Sequence, residues 1–220
     1  MKALPPVMLY RKLLRRFGNL DWWPGETQDE IIIGAILTQQ ASWKNVEKAI
    51  ANLRAAGCLD FRKIDKMDKE QLEECIRPSG FYRQKASRLK GFAKHLFSRY
   101  GSLGELLSKE AGPLREELLA ISGIGKETAD SIILYAAGKP VFVIDAYTKR
   151  IMSRVYGSAE DIDYDELRSG ISYSIPIDLE LYKDFHAQFV ELGKRYCRTK
   201  PLCNGCPVKS YCRYYASNSR

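Results

Sequence analysis

Apolar residues fall at intervals of three and four along almost the whole chain, and this spacing limits the fold more than any other feature. Val46, Ala49, Ile50 and Leu53 make one such stripe; Leu89, Phe92, Ala93 and Leu96 make a second; Ala129, Ile132, Ile133 and Ala136 a third. Side chains spaced this way share one face of an α-helix, whereas a half-buried strand needs strict alternation. Only the short run from Val141 to Ile144 reads as a strand. Thr27 and Glu30 form a capping box just ahead of IIIGAIL, a helix start signal. Breaks at WPGE, RPSG, AGP, SGIG, AGKP and SIPID cut the remainder into about ten short helices. The predicted fold class is all-α.

A chain of 220 residues can bury a real core, as one domain or two small ones. Lys plus Arg outnumber Asp plus Glu by 35 to 27, a net charge of +8. Such an excess suits a polyanionic partner, since clustered cations gain affinity by releasing counterions from phosphates; a merely soluble basic surface is the alternative. The N-terminal MKALPPVMLYRKLLRRFG lacks the apolar core of a signal peptide. No stretch approaches the roughly 18 apolar residues of a membrane span, so no membrane partner and a cytoplasmic location are expected. Cysteines stay reduced there, and a tight cluster of them reads as a metal site rather than as disulfides. Four of the six cysteines form such a cluster: Cys197, five residues, Cys203, two residues, Cys206, five residues, Cys212. On chemistry alone four thiolates suit zinc and a 4Fe-4S cluster equally. Cys58 and Cys75 read as small core residues, and His95 and His186, each within a helical run, as hydrogen-bonded packing residues.

LLAISGIGKETAD, residues 118 to 130, has the pattern of a helix, a turn with two glycines, and a second helix opening at about Lys126. Gly123 and Gly125 allow close backbone approach, and the unpaired N–H groups of the second helix could meet a phosphate. Asp145 follows VFVI and precedes AYTKRIMSRV, where it reads as a helix N-cap.

The hairpin stretch with GKPVFVIDAYTKRI after it, the cysteine cluster, and ILTQQASWKNVEKAI together resemble the endonuclease III superfamily of DNA glycosylases. The resemblance implies a helix-hairpin-helix fold of two helical domains, a barrel over 22–137 and a cluster domain built from 1–21 plus 138–220. It implies a C-terminal 4Fe-4S cluster held by Cys197, Cys203, Cys206 and Cys212, although the family's first loop has six residues and this one five. It assigns Asp145 as the catalytic carboxylate and Gly123, Gly125 and Lys126 as phosphate-gripping residues. Gln40 and Phe81 become the side chains that fill the gap left by a flipped base in double-stranded DNA. A monomer in the nucleoid is the expected working form.

In the lyase branch of that family a nucleophilic lysine stands two residues after the second hairpin glycine. Here that position is Glu127, and Lys126, one residue earlier, is turned by about 100° on a helix. A monofunctional enzyme using water is therefore expected. Trp22, Trp23, Trp43 and Tyr147 are candidates for the base pocket, since aromatic faces stack on bases and attract cations. Alkylated purines such as 3-methyladenine and 7-methylguanine are cationic, and the sequence resembles the 3-methyladenine branch. Oxidised pyrimidines or mismatched bases as substrates, and a DNA-binding module without catalysis, are the alternatives.

Overall fold

The computed structural model describes residues 4–20, 22, 25–159 and 161–218. Among them there is no strand, and thirteen α-helices replace the expected ten or so. They are α1 (Pro6–Phe17), α2 (Gln28–Leu37), α3 (Trp43–Ala55), α4 (Phe61–Lys66), α5 (Lys69–Ile76), α6 (Tyr82–Arg99) and α7 (Leu103–Leu107). After them come α8 (Ala111–Ala120), α9 (Lys126–Ser131), α10 (Ala146–Tyr156), α11 (Tyr164–Tyr173), α12 (Leu179–Arg195) and α13 (Arg213–Asn218). A 3-10 turn spans Arg77–Ser79, another spans Lys209–Tyr211, and α9 runs on as a π-helical stretch over Ile132–Ala136. None of these helices is long and apolar enough to cross a membrane.

The chain divides into two compact units, one of Trp23–Lys139 and one of Met1–Trp22 with Pro140–Arg220. In the first, α2 is apolar all round, and from Ile32 onward every residue is buried, as a central helix requires. Helices α3, α6 and α9 with its π-helical extension pack around it. Its start is the expected cap: Thr27 Oγ1 accepts from Glu30 N at 3.2 Å. Glu30 returns not to the cap but to Glu26 N, and its other oxygen accepts from Arg54 at 2.7 Å. Helices α8 and α9 are clamped by Arg115, which donates to the fully buried Asp130 at 2.6 and 3.2 Å. Cys58 and Cys75 also lie in this unit, and both are half-buried rather than core. Burial, and after it the nearby Cys58, push the Cys75 thiol up.

In the second unit α12 is the central helix, with α1 and α10 packed on it. Phe142 meets Tyr182, Phe185 and Phe189 of α12 edge-on at centroid distances of 5.4, 5.7 and 6.4 Å. This explains why VFVI is not a strand. Phe142, Val143 and Ile144 are buried against a helix, so an extended segment forms with no second strand to pair with. Gly193 of α12 lies under the Tyr147 ring; a Cβ there would fall among the ring atoms, which fixes the close approach of α10 and α12.

Candidate functional site

The residues singled out in the sequence fall into three groups, and each is built by local rules. Gln40 and Phe81 lie in the Trp23–Lys139 unit, at the end of the turn after α2 and at the cap of α6. Among the described residues they are the two non-glycine positions with positive φ, at 53° and 46°. Backbone there costs about 1–3 kcal/mol per residue and persists only where the surroundings impose it. Both side chains are exposed, Phe81 at 58% despite its apolar ring. Isolated folding would hide such a ring; a stacking surface would use it.

The hairpin sits in the same unit. Gly123 is left-handed at φ +85°, and a Cβ there would come within 2.6 Å of the Arg88 side chain. Ile121 and Ile124 are buried and anchor the turn, leaving Gly123 and Gly125 exposed. Gly125 is the N-cap of α9 and, as a glycine, supplies no side-chain cap of its own, while Lys126 is half-buried and Glu127 exposed. Gln39, which the sequence did not single out, donates to Gly123 O at 3.1 Å and to Thr128 Oγ1 at 2.9 Å, and accepts from Arg88. Trp43 opens α3 and gives its indole N–H to Glu47 of the same helix at 2.9 Å.

Asp145, in the unit built on α12, is the N-cap of α10 as expected. Its Oδ1 accepts from Thr148 N at 2.7 Å and from Thr148 Oγ1 at 2.8 Å. Oδ2 faces His186 Nε2 at 3.7 Å, and the two side chains are 13% and 4% exposed. Burial alone would raise the Asp145 carboxyl, but the imidazole and then the Thr148 donors outweigh it and hold the group below the usual carboxylate range. Trp22 stands edge-on to the His186 ring at 5.3 Å, and Lys194 lies over its face at 6.0 Å. Tyr147, the second residue of α10, is covered by Arg150 at 5.1 Å. Trp23 lies outside the described residues. His186, read from the sequence as a hydrogen-bonded packing residue, is buried and faces Asp145. No local signal marks it, because 41 residues separate the two.

The four clustered cysteines line one small pocket whose other walls include Ile151, Leu192 and Val208. Among the described residues no group of three or more His, Cys, Asp or Glu side chains is arranged to hold a single metal ion. Burial, and beyond it the neighbouring thiols, push Cys206 up to about 11. Arg154 of α10 donates to Cys197 Sγ at 3.5 Å and to Thr199 O at 2.9 Å, and Arg150 donates to Cys197 O at 2.8 Å. Lys200, Lys209 and Arg213 are exposed beside the loops.

An all-helical chain with a glycine hairpin, an exposed aromatic on strained backbone and a capped, paired aspartate is a helix-hairpin-helix DNA repair protein in outline. The HhH-GPD superfamily of base excision DNA repair proteins matches residues 33–175, and the chain belongs to that superfamily of DNA glycosylases. It is 48% identical over 206 residues, 93% of this chain and 94% of the relative, to a Methanocaldococcus jannaschii protein provisionally named DNA repair glycosylase MJ1434. The crystal structure of Helicobacter pylori 3-methyladenine DNA glycosylase MagIII bound to 1,N6-ethenoadenine is similar with a TM-score of 0.78 and 32% identity, over 87% of this chain and 98% of that one. A non-covalent endonuclease III–DNA complex shares the fold, with a TM-score of 0.83 at 22% identity over 96% of this chain and 95% of that one.

Proposed function

We propose that this glycosylase is monofunctional and hydrolyses the N-glycosidic bond of alkylated purines, such as 3-methyladenine and 7-methylguanine, in duplex DNA. The reading is carried by two features together, a depressed, mostly buried Asp145 carboxyl and, at the second position after Gly125, an exposed glutamate, Glu127. An ionised carboxylate stabilises the cationic sugar that develops as the glycosidic bond breaks, and it can accept a proton from the attacking water. A glutamate side chain cannot form the Schiff base of a lyase. The 32% identity to a 3-methyladenine glycosylase supports the substrate class, as does Trp22, whose ring already receives a cation, Lys194. Gln40 and Phe81 would fill the gap left by the flipped base, and Gly123, Gly125 and Lys126 would grip the backbone.

The test is to incubate the protein with methylated duplex DNA and identify the released bases by chromatography. Release of 3-methyladenine or 7-methylguanine, with strands intact until alkali is added, is the expected result. Activity confined to oxidised pyrimidines or mismatches would overturn the substrate class, and a borohydride-trapped covalent adduct would overturn the monofunctional assignment.

The same reading places a 4Fe-4S cluster at Cys197, Cys203, Cys206 and Cys212. The donor set fits: four thiols line one apolar-walled pocket, and four thiolates are the ligand set that such a cluster takes. A thiol pushed up to about 11, as Cys206 is, stays protonated at neutral pH unless a cation compensates, and such a group supplies that charge when bound. Arg154 and Arg150 hold the first loop by its carbonyls. Protein purified without oxygen is expected to be brown with about four irons per chain. Stoichiometric zinc without iron would sink this assignment.

A further inference from the structure

Lys85 is fully buried, yet it is a lysine in a core of aliphatic and aromatic residues. Its Nζ donates to Leu37 O at 2.8 Å and to Ser79 O at 2.7 Å, and among the described residues no carboxylate pairs with it. An ammonium without a counter-ion is costly to bury, and two carbonyl acceptors satisfy only part of its donor capacity. The two carbonyls are not arbitrary. Leu37 is the last residue of α2 and stands three positions before Gln40; Ser79 closes the 3-10 turn and stands two before Phe81. One side chain therefore ties together the two short segments that hold left-handed backbone and carry exposed side chains. Arg88, on the next turn of α6, extends the same arrangement by donating to Gln39 and lying against Gly123 of the hairpin.

We propose that Lys85 is a positioning residue that locks the Gln40 turn and the Phe81 turn into one rigid gap-filling unit. The proposal rests on the reading of Gln40 and Phe81 given above, and deepens it. The two side chains must enter the duplex together, one against each face of the space a flipped base leaves, so their separation has to be fixed before DNA arrives. Two turns that moved independently would each lose part of that geometry, and strained backbone at both positions would relax without the tie.

The experiment compares wild type, Lys85→Met, the double variant Gln40→Ala/Phe81→Ala, and the triple variant. The readouts are fluorescence of a 2-aminopurine beside a methylated purine, single-turnover base release, and affinity for undamaged duplex. Lys85→Met is expected to lower extrusion and release on the order of tenfold or more, the scale of catalytic loss from a small misplacement. Affinity for undamaged duplex, gripped through the phosphates, should stay within about twofold. In the triple variant Lys85→Met should add nothing, because the unit it positions is gone. A full additional loss in the triple variant, an equal loss of undamaged-duplex affinity, or no loss at all in Lys85→Met would overturn the proposal. If Gln40→Ala/Phe81→Ala alone leaves extrusion unchanged, the gap-filling reading fails first and the proposal with it. Should Lys85→Met not fold, Lys85→Gln, which keeps two N–H donors on a shorter stem, takes its place with the same pattern expected at smaller amplitude.

Discussion

Asp145→Asn is expected to slow base release by about 10²–10³-fold, the scale of loss when one preorganised electrostatic partner of a transition state is removed. The substitution is chosen because the amide keeps the structural half of the residue. Its Oδ1 can still accept from Thr148 N and Oγ1, now at 2.7 and 2.8 Å, so α10 retains its cap. Only the charge facing His186 is lost. Affinity for undamaged duplex should therefore change by no more than about twofold, since it rests on phosphate contacts elsewhere. The depressed carboxyl also sets a pH dependence: wild-type release should persist as pH falls into the usual carboxylate range and decline only below it. Full release by the Asn variant would remove Asp145 from the chemistry and leave it a helix cap alone, whereas no release from either wild type or variant would favour a DNA-binding module without catalysis.

What the sequence made legible follows a simple physical division. Features made by neighbours along the chain were readable: the Thr27 cap, the glycine turn between α8 and α9, the Asp145 cap of α10, and the helical stripes. Features made by the third dimension were not. The run VFVI has strand composition, but composition says nothing of whether a second strand is available, and here Phe142 packs on the rings of α12 while Ile144 N donates to the Tyr164 hydroxyl of α11. His186 reads as a hydrogen-bonded packing residue because it lies within a helical run, and its approach to Asp145 depends on α10 lying against α12. Cys58 and Cys75 read as core by residue type, yet Cys58 lies in the loop after α3 and Cys75 next to the end of α5, where burial is partial. A signal for Lys85 did exist. It falls on the same helical face as Leu89, Phe92 and Leu96, so the pattern carries a charge into the core.

Glu117 gives the other large expected effect, and it too is a charge on an apolar face, beside Leu114 and Leu118 of α8. Its carboxylate is 6% exposed and accepts from His95 at 2.9 Å, Arg99 at 3.2 Å, Tyr100 at 2.5 Å, and Lys109. Burial would raise it, but Lys109, Tyr100, His95 and Arg99 together lower it from 4.5 to about 2. A folded-state value below the unfolded one means that the ionised form stabilises the fold. That contribution is fully present above about pH 4.5 and is lost as pH falls through about 2. With about 1.4 kcal/mol per pH unit, discounted because Arg99 and Lys109 remain partly in water, the contribution is about 2 kcal/mol. Glu117→Gln keeps the shape and one acceptor while removing the charge, so it should destabilise by about 2 kcal/mol at neutral pH. Urea unfolding followed by circular dichroism at pH 7, 4 and 2.5 decides the matter. The gap between wild type and variant should close as the pH falls, because protonation does to wild type what the substitution does at every pH. A gap that stays constant would assign the loss to packing, and the four donors would then be holding α8 by shape and hydrogen bonds rather than by charge.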